Sequence, residues 1–465
     1  MHSALALVLL STAVASPPVY EDALIPDVPH VRQKPDFCGE ACAEMALRKL
    51  GKPVDQDAVF HLAQIDPALG RGAVTNELAG ALKRLGFEVG PVWHSFETAR
   101  EAREVEVQWG QLHRDLVAGI PSIVCMHYSD EPKTTEHFRL ILGYDAKADE
   151  VIYNEPAEDQ GSYRRMKRSL FLKLWTFRPR PDRRSIIRMR LEPGAIVIPA
   201  PESKPTDADL AQHVMSLKER LPWKGFSLAV QRPFVVVGDE APETVKRRAR
   251  ETVQWTLERL RRDFFETDPA EIIDIWVLAN GASYRRAAWE VFHDKPDTPY
   301  GYYLASRQAM VMNIGPGAGT LVHELVHPYV RTNFPLCPAW LNEGLASLYE
   351  RPVDKDGHLW GLPNWRLPGL QAALKDGSLP ALRAMMALDD EGFYDDDSGT
   401  HYAQARYLVY YLQEKGLLPR FVREFRSHRE KDPTGFATLQ EVLEVQDMAA
   451  FDKRWRGFVA ALTYR

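Results

Sequence analysis

The chain has 465 residues, more than one hydrophobic core usually holds, so two domains are expected. With 45% hydrophobic and 26% charged residues it has a globular composition, and no apolar run is long enough to cross a bilayer. A formal net charge of −6 argues against general attraction to nucleic acid or anionic membrane, and four cysteines are too few for a disulfide-built scaffold.

Residues 4–10 form a short apolar run, and Ala13-Val14-Ala15 after it is a small-x-small site that could be cut before Ser16. Residues 1–15 are therefore read as a signal peptide, and the remainder as an exported protein, periplasmic or extracellular.

Alternating helix and strand patterns make residues 16–190 the first domain. Near its start, Gln33-Lys34-Pro35-Asp36-Phe37-Cys38-Gly39 places Cys38 at the N-terminus of a helix that runs to Leu50 and stops at Gly51. A helix N-terminus favours thiolate over thiol. Gln33 can aim its amide at the same point as the Cys38 backbone N–H, as an oxyanion hole requires. Cys42, one turn on, reads as structural. A nucleophilic Cys also needs a base and a group that orients it. His137 opens a strand over 138–145, and the next strand, 151–156, ends in Asn154-Glu155-Pro156. His137 as base and either Asn154 or Glu155 as its partner would then sit on adjacent strands.

Over about residues 25–178, the pattern Gln33-x4-Cys38-Gly39, then His137 before Gly143-Tyr144-Asp145, then a strand closing on Glu155-Pro156, resembles the peptidase C39-like, papain-like domains. The resemblance implies a Cys–His peptidase site acting on a peptide or protein. C39 enzymes that trim double-glycine leaders come fused to a transporter. This chain has no GxxxxGK[ST] phosphate loop and no span, so leader trimming is not expected.

Residues 164–190 hold eleven basic side chains against one acid, Asp182, and read as solvated strand and helix edges rather than a polyanion surface. Residues 191–224 are Pro-rich and read as a linker. From 225 to 465 the order is strand (233–237), long helix (242–265), strand (272–278), a strand-like stretch (302–314) and then helices. The second domain is thus expected to be a mixed sheet followed by a mainly helical part, and the whole chain α+β.

That domain contains His323-Glu324-Leu325-Val326-His327, an HExxH pattern on a helix, in which i, i+4 spacing puts both imidazoles on one face. Two neutral imidazoles can share a zinc ion, and Glu324, one residue after the first, stands where a general base is required. A catalytic zinc needs a third protein ligand. Glu343 lies 16 residues beyond His327 on a second helical pattern opened by Pro338, with the intervening residues 328–337 read as the turn that brings it back. This arrangement resembles the gluzincin peptidases, whose third zinc ligand is a Glu on the helix after HExxH. The resemblance implies a zincin-like fold and an oxyanion donor from a Tyr or His further on. Tyr402, 59 residues after Glu343, is the candidate, with Tyr407, Tyr410 and Tyr411 close behind. Ser347 stands where many members place an Asp that orients a ligand His. The GxMEN segment that holds a free amino terminus is absent, which favours internal cleavage. The comparable stretch, 308–315, is an edge strand in the wider group and would pair with an extended substrate.

The acidic cluster 389–397 reads as a solvated loop. The functional expectation is an exported zinc-dependent peptide hydrolase with a second, Cys–His site. The alternative is a peptide-binding or scaffold protein in which one or both domains are inert.

Overall fold

The computed structural model describes residues 20–395 and 399–464, so the segment read as a signal peptide, 1–15, lies outside the described residues. The chain folds as two compact units. One holds the described residues up to Ile65 together with Arg71–Glu202, and the other holds Asp66–Gly70 with the described residues from Ser203 onward.

In the first unit, eight strands among the described residues form one antiparallel sheet. Its main path runs Trp93–Glu97, Arg183–Arg190, Ser122–His127, Glu136–Asp145, Glu150–Asn154, Arg164–Lys167. Register places Met126 opposite His137 and Cys125 opposite Phe138. The helix Cys38–Lys49 is buried at every position from Gly39 to Leu47, on all its faces. An all-round buried helix belongs in the middle of a core, and small residues such as Ala41, Ala43 and Ala46 let neighbours approach it closely. The basic run is held by acids rather than left bare: Arg165 pairs with Asp145, Lys167 with Glu150, Arg168 with Asp149 and Arg184 with Glu101.

The second unit is built on a five-stranded sheet in the order Ser227–Gln231, Phe234–Gly238, Ile273–Leu278, Ala309–Asn313, Gly301–Leu304. The two central pairings are parallel and the outer two antiparallel. Strands 234–238 and 273–278 are buried throughout, as a sheet covered on both faces requires. Alternation divides them: Val235, Val237 and Trp276 pack with Leu210, Val214 and Leu217, whereas Val236, Ile275 and Met310 pack with Leu321, Val322 and Leu325.

Four sequence expectations change here. The 191–224 linker is interrupted: Asp207–Glu219 is a helix, capped by the Thr206 hydroxyl on the Asp209 N–H at 3.0 Å, and its apolar side covers the sheet. The strand-like stretch 302–314 is a hairpin, Gly301–Leu304 and Ala309–Asn313, turned at Ala305–Arg307. Consequently residues 309–313 are an interior strand, flanked on both sides, and the edge on that side of the sheet is Gly301–Leu304. The run Ala309 to Met312 is buried at every residue, which suits an interior strand rather than an edge. Finally, the HExxH helix does not stop at Pro328 but runs Gly319–Asn333. Proline removes one intrahelical bond, to the carbonyl of residue 324, and the helix resumes beyond it. The helical region that follows includes Ala339–Leu348 and Thr400–Glu414, packed closely enough that a Cβ on Gly344 would lie 2.9 Å from Val409 Cγ2.

Candidate active sites

In the second unit, i, i+4 spacing on Gly319–Asn333 aims His323 and His327 the same way, and Ala339–Leu348 brings Glu343 to them. His323 Nε2 is 3.4 Å and His327 Nε2 4.0 Å from Glu343 Oε2, and the three potential ligand atoms lie within 4.8 Å of one another. Glu343 Oε1 accepts from the Tyr394 hydroxyl at 2.9 Å. Its Oε2 is buried without a hydrogen-bond partner among the described residues. An anionic oxygen stranded beside two ring nitrogens is the donor set of a three-ligand zinc site, so the residues fit the metal.

The surrounding groups fix the ligands. His327 Nδ1 is 3.0 Å from Asn342 Oδ1, an acceptor, which turns Nε2 toward Glu343. His323 Nδ1 faces Glu350 Oε1 at 3.5 Å. Glu350 is itself held by Arg366 Nη2 and Nε at 2.7 and 3.0 Å and by Asn364 Nδ2 at 2.7 Å. Its approach depends on Gly319, where a Cβ would meet the Glu350 carbonyl oxygen at 2.0 Å. Burial alone would raise the Glu350 pKa, but the His323 and Arg366 contacts outweigh it and hold it at about 2. The same contest lowers Glu343, where burial is overcome by His323 and His327. At Glu324 it goes the other way: burial leads, Glu343 and Glu350 add to it, and the carboxyl is raised despite both histidines.

Glu324 lines a cavity of about 670 Å³ with His323, Glu350, Arg366, Tyr300 and Tyr402. Tyr402 is kept protonated by burial and by Glu343, so it has a proton to donate into the cavity. Tyr407 is core: it is fully buried and receives the Asn364 N–H at 3.1 Å. Ser347 donates to the Glu343 carbonyl at 2.5 Å, and the buried Arg406 donates to the Ser347 carbonyl at 2.9 Å, satisfying the end of the Glu343 helix. The sequence reading missed Asn342, Glu350 and Tyr394. Glu350 lies two residues past the end of the Glu343 helix, so helical periodicity does not reach it. Tyr394 lies 51 residues from Glu343, and no local periodicity relates the two.

In the first unit, His137 Nε2 meets Glu155 Oε1 at 2.5 Å, and Arg139 Nε donates to Glu155 Oε2 at 2.6 Å. Burial opposes the Glu155 charge, yet His137 and Arg139 prevail and hold the carboxyl at about 2. Of the two candidates for orienting His137, therefore, Glu155 makes the contact. Asn154 accepts from the Tyr163 N–H at 2.8 Å and turns its amide nitrogen to Met45 Sδ at 3.3 Å. Adjacent strand residues point to opposite faces, so only one of the pair can reach the histidine. With Nε2 committed to Glu155, Nδ1 is the nitrogen left to serve as base.

Cys38 is the first residue of its helix, with its sulfur against the Phe138 backbone next to His137. The expected thiolate does not follow. Burial is the largest influence and, with Glu40 and Asp36 nearby, pushes the thiol up to about 12 against the backbone groups of Phe138 and Gly39. Gln33 Oε1 is buried with no hydrogen-bond partner among the described residues. Cys42 is buried with its sulfur 3.7 Å from the Phe138 carbonyl, and all four cysteines are free thiols.

Residues 25–178 match the family model described as Peptidase_C39 like family, so the N-terminal region carries a peptidase C39-like domain. Among solved structures, the chain is similar to the peptidase domain of Streptococcus ComA, described as a bi-functional ABC transporter involved in a quorum sensing pathway. That similarity has 16% identity and a TM-score of 0.24, and covers 36% of this chain and 99% of that one. No curated protein matches the chain.

Proposed function

We propose that the protein is an exported peptide hydrolase whose principal activity resides in the second unit, with zinc held by His323, His327 and Glu343. The observation that carries this reading is the stranded Glu343 Oε2 facing two histidine nitrogens, beside a cavity that Glu324 lines. Zinc bound there supplies Lewis acidity toward a carbonyl and toward water. Glu324 takes the proton from the attacking water and returns it to the leaving amine. Tyr402 donates to the oxygen that gains charge as the carbonyl becomes tetrahedral. Gly301–Leu304, one of the two sheet edges, offers unpaired backbone groups to an extended substrate, in keeping with internal cleavage. Together these features support a zincin-like fold for residues 225–465. Export rests on the apolar run 4–10 and Ala13-Val14-Ala15 before Ser16.

The test is zinc content of the purified full-length protein by elemental mass spectrometry, with casein cleavage by wild type, Glu324→Gln and Cys38→Ala. The expected result is one zinc per chain, and activity lost with Glu324 but kept without Cys38. A zinc-free wild type that cleaves casein would end the proposal.

One observation favours a second reading for the first unit alone. Burial pushes the Cys38 thiol up to about 12, which favours peptide binding over cleavage there. Retained casein cleavage by Glu324→Gln that Cys38→Ala abolishes would instead assign hydrolysis to Cys38.

A further inference from the structure

The first unit contains a cavity of about 360 Å³ that none of Cys38, His137 and Glu155 lines. Its wall is arginine-rich. Arg188 and Arg190 come from strand Arg183–Arg190, Arg114, Asp115 and Gln108 from helix Glu101–Val117, and His94 from strand Trp93–Glu97.

The charges do not balance. Arg188 pairs with Asp115 and donates through Nε to Ser122 Oγ at 3.0 Å. Arg190 shares the same Asp115 at 3.0 Å and also pairs with Glu192. Three guanidiniums thus face two carboxylates, and Arg114 has no ion pair among the described residues. The unpaired Arg114 is exposed, whereas the Arg188 side chain beside it is only 6% exposed. Burial, with Arg190 and Arg114 close by, holds the Arg188 pKa down at about 10, which is the response of a cation lacking enough counter-charge. Gln108, 7% exposed, leaves Oε1 without a hydrogen-bond partner among the described residues. That free oxygen is an acceptor and takes a donor, so anion recognition in this site falls to the arginines. Its volume is at the low end of small-molecule pockets, roughly 300–1,000 Å³.

We propose that this cavity binds a small oxyanion, a phosphate or carboxylate group on a small molecule, between Arg114, Arg188 and Arg190. Guanidinium forks match both anions in geometry. The anion completes the charge balance that Asp115 and Glu192 leave short.

Inorganic phosphate and succinate, titrated separately into the full-length protein at constant ionic strength with chloride as control, distinguish the two sources. Thermal shift and calorimetry should show saturable binding of at least one of them. Arg188 is buried, and its variants risk unfolding, so exposed Arg114 carries the test: Arg114→Gln should weaken that binding about tenfold, the loss of one charge-assisted contact. Casein cleavage should be unchanged in this variant, which separates the site from the peptidase reading. Neither anion exceeding chloride, or equal affinity in Arg114→Gln and wild type, would overturn the assignment.

Discussion

The two candidate sites are both assembled from buried charged groups, yet they leave different things unsatisfied. Around Glu343, Asn342 holds His327 and Tyr394 holds one carboxylate oxygen, while Glu343 Oε2 and His323 Nδ1, which is 3.5 Å from Glu350, are buried without hydrogen-bond partners among the described residues. Around His137, by contrast, Glu155 is bound by both His137 and Arg139, while burial and two nearby acids push the Cys38 thiol up. Orientation of a base is thus separable from activation of its nucleophile. The first site leaves an acceptor oxygen beside two ring nitrogens, whereas in the second burial disfavours the thiolate.

The comparison breaks most visibly at Glu324. Glu324→Gln should keep its zinc and lose casein cleavage by at least about a thousandfold, roughly 4 kcal/mol of barrier. Retained zinc in the inactive variant shows that the proton acceptor, not the metal, was removed.

Next is the pH dependence of the His137–Glu155–Arg139 cluster. The folded Glu155 pKa, about 2, lies below an ordinary glutamate value, so its stabilising contribution is present above that ordinary value and is lost as pH falls through about 2. From the size of that shift, roughly 3 kcal/mol is present at pH 7 and about half of it remains at pH 3. Urea unfolding of wild type and Glu155→Gln at both pH values should show a stability gap that narrows in acid. A gap of the same size at pH 3 and pH 7 would mean that Glu155 is not held as a charged partner.

How far these sites were legible in the sequence follows from the range of the interactions involved. His323, Glu324, His327 and Glu343 could be read because helical periodicity relates each pair within or between two short helices. Cys38, His137 and Glu155 were legible as residue types on a helix start and two neighbouring strands, although Glu155 could be chosen over Asn154 only once the strand face was known. The thiol's suppression was not legible, since it depends on burial and on Asp36 and Glu40 rather than on helix position. In the fold, the strand 309–313 was mistaken for an edge because hydrophobic pattern reveals burial but not which neighbour provides it. The helix Asp207–Glu219 was hidden by the proline-rich stretch before it, whose composition suggested a linker through the whole segment.

Glu350 sharpens the comparison at a smaller scale. If it orients His323, Glu350→Gln should weaken zinc about 10- to 100-fold, as outer contacts to metal-binding histidines do, while leaving the overall fold intact. Competition with a chromophoric chelator measures this. An unchanged zinc affinity would reduce Glu350 to a partner of Arg366 and Asn364, with no part in the metal site.

The smallest expected change in casein cleavage, below about twofold, is that of Cys38→Ala, and it asks the most of the contrast between the sites. A thiol held at about 12 is almost wholly protonated at neutral pH, so its reaction with iodoacetamide should still be rising tenfold per pH unit near pH 10. An ordinary cysteine levels off near pH 9, and one paired with a cationic histidine levels off below pH 7. The three curves differ in where they flatten, so the measurement does not depend on knowing a substrate. Because Cys42 and Cys125 are buried and raised as well, the Cys38→Ala protein supplies the background to subtract. A plateau below pH 7 would show that His137 protonates and draws out the thiolate, returning the first unit to the ranks of active peptidases. Continued rise through pH 10 would leave the well-built His137–Glu155 pair holding a fold whose sulfur takes no part in hydrolysis.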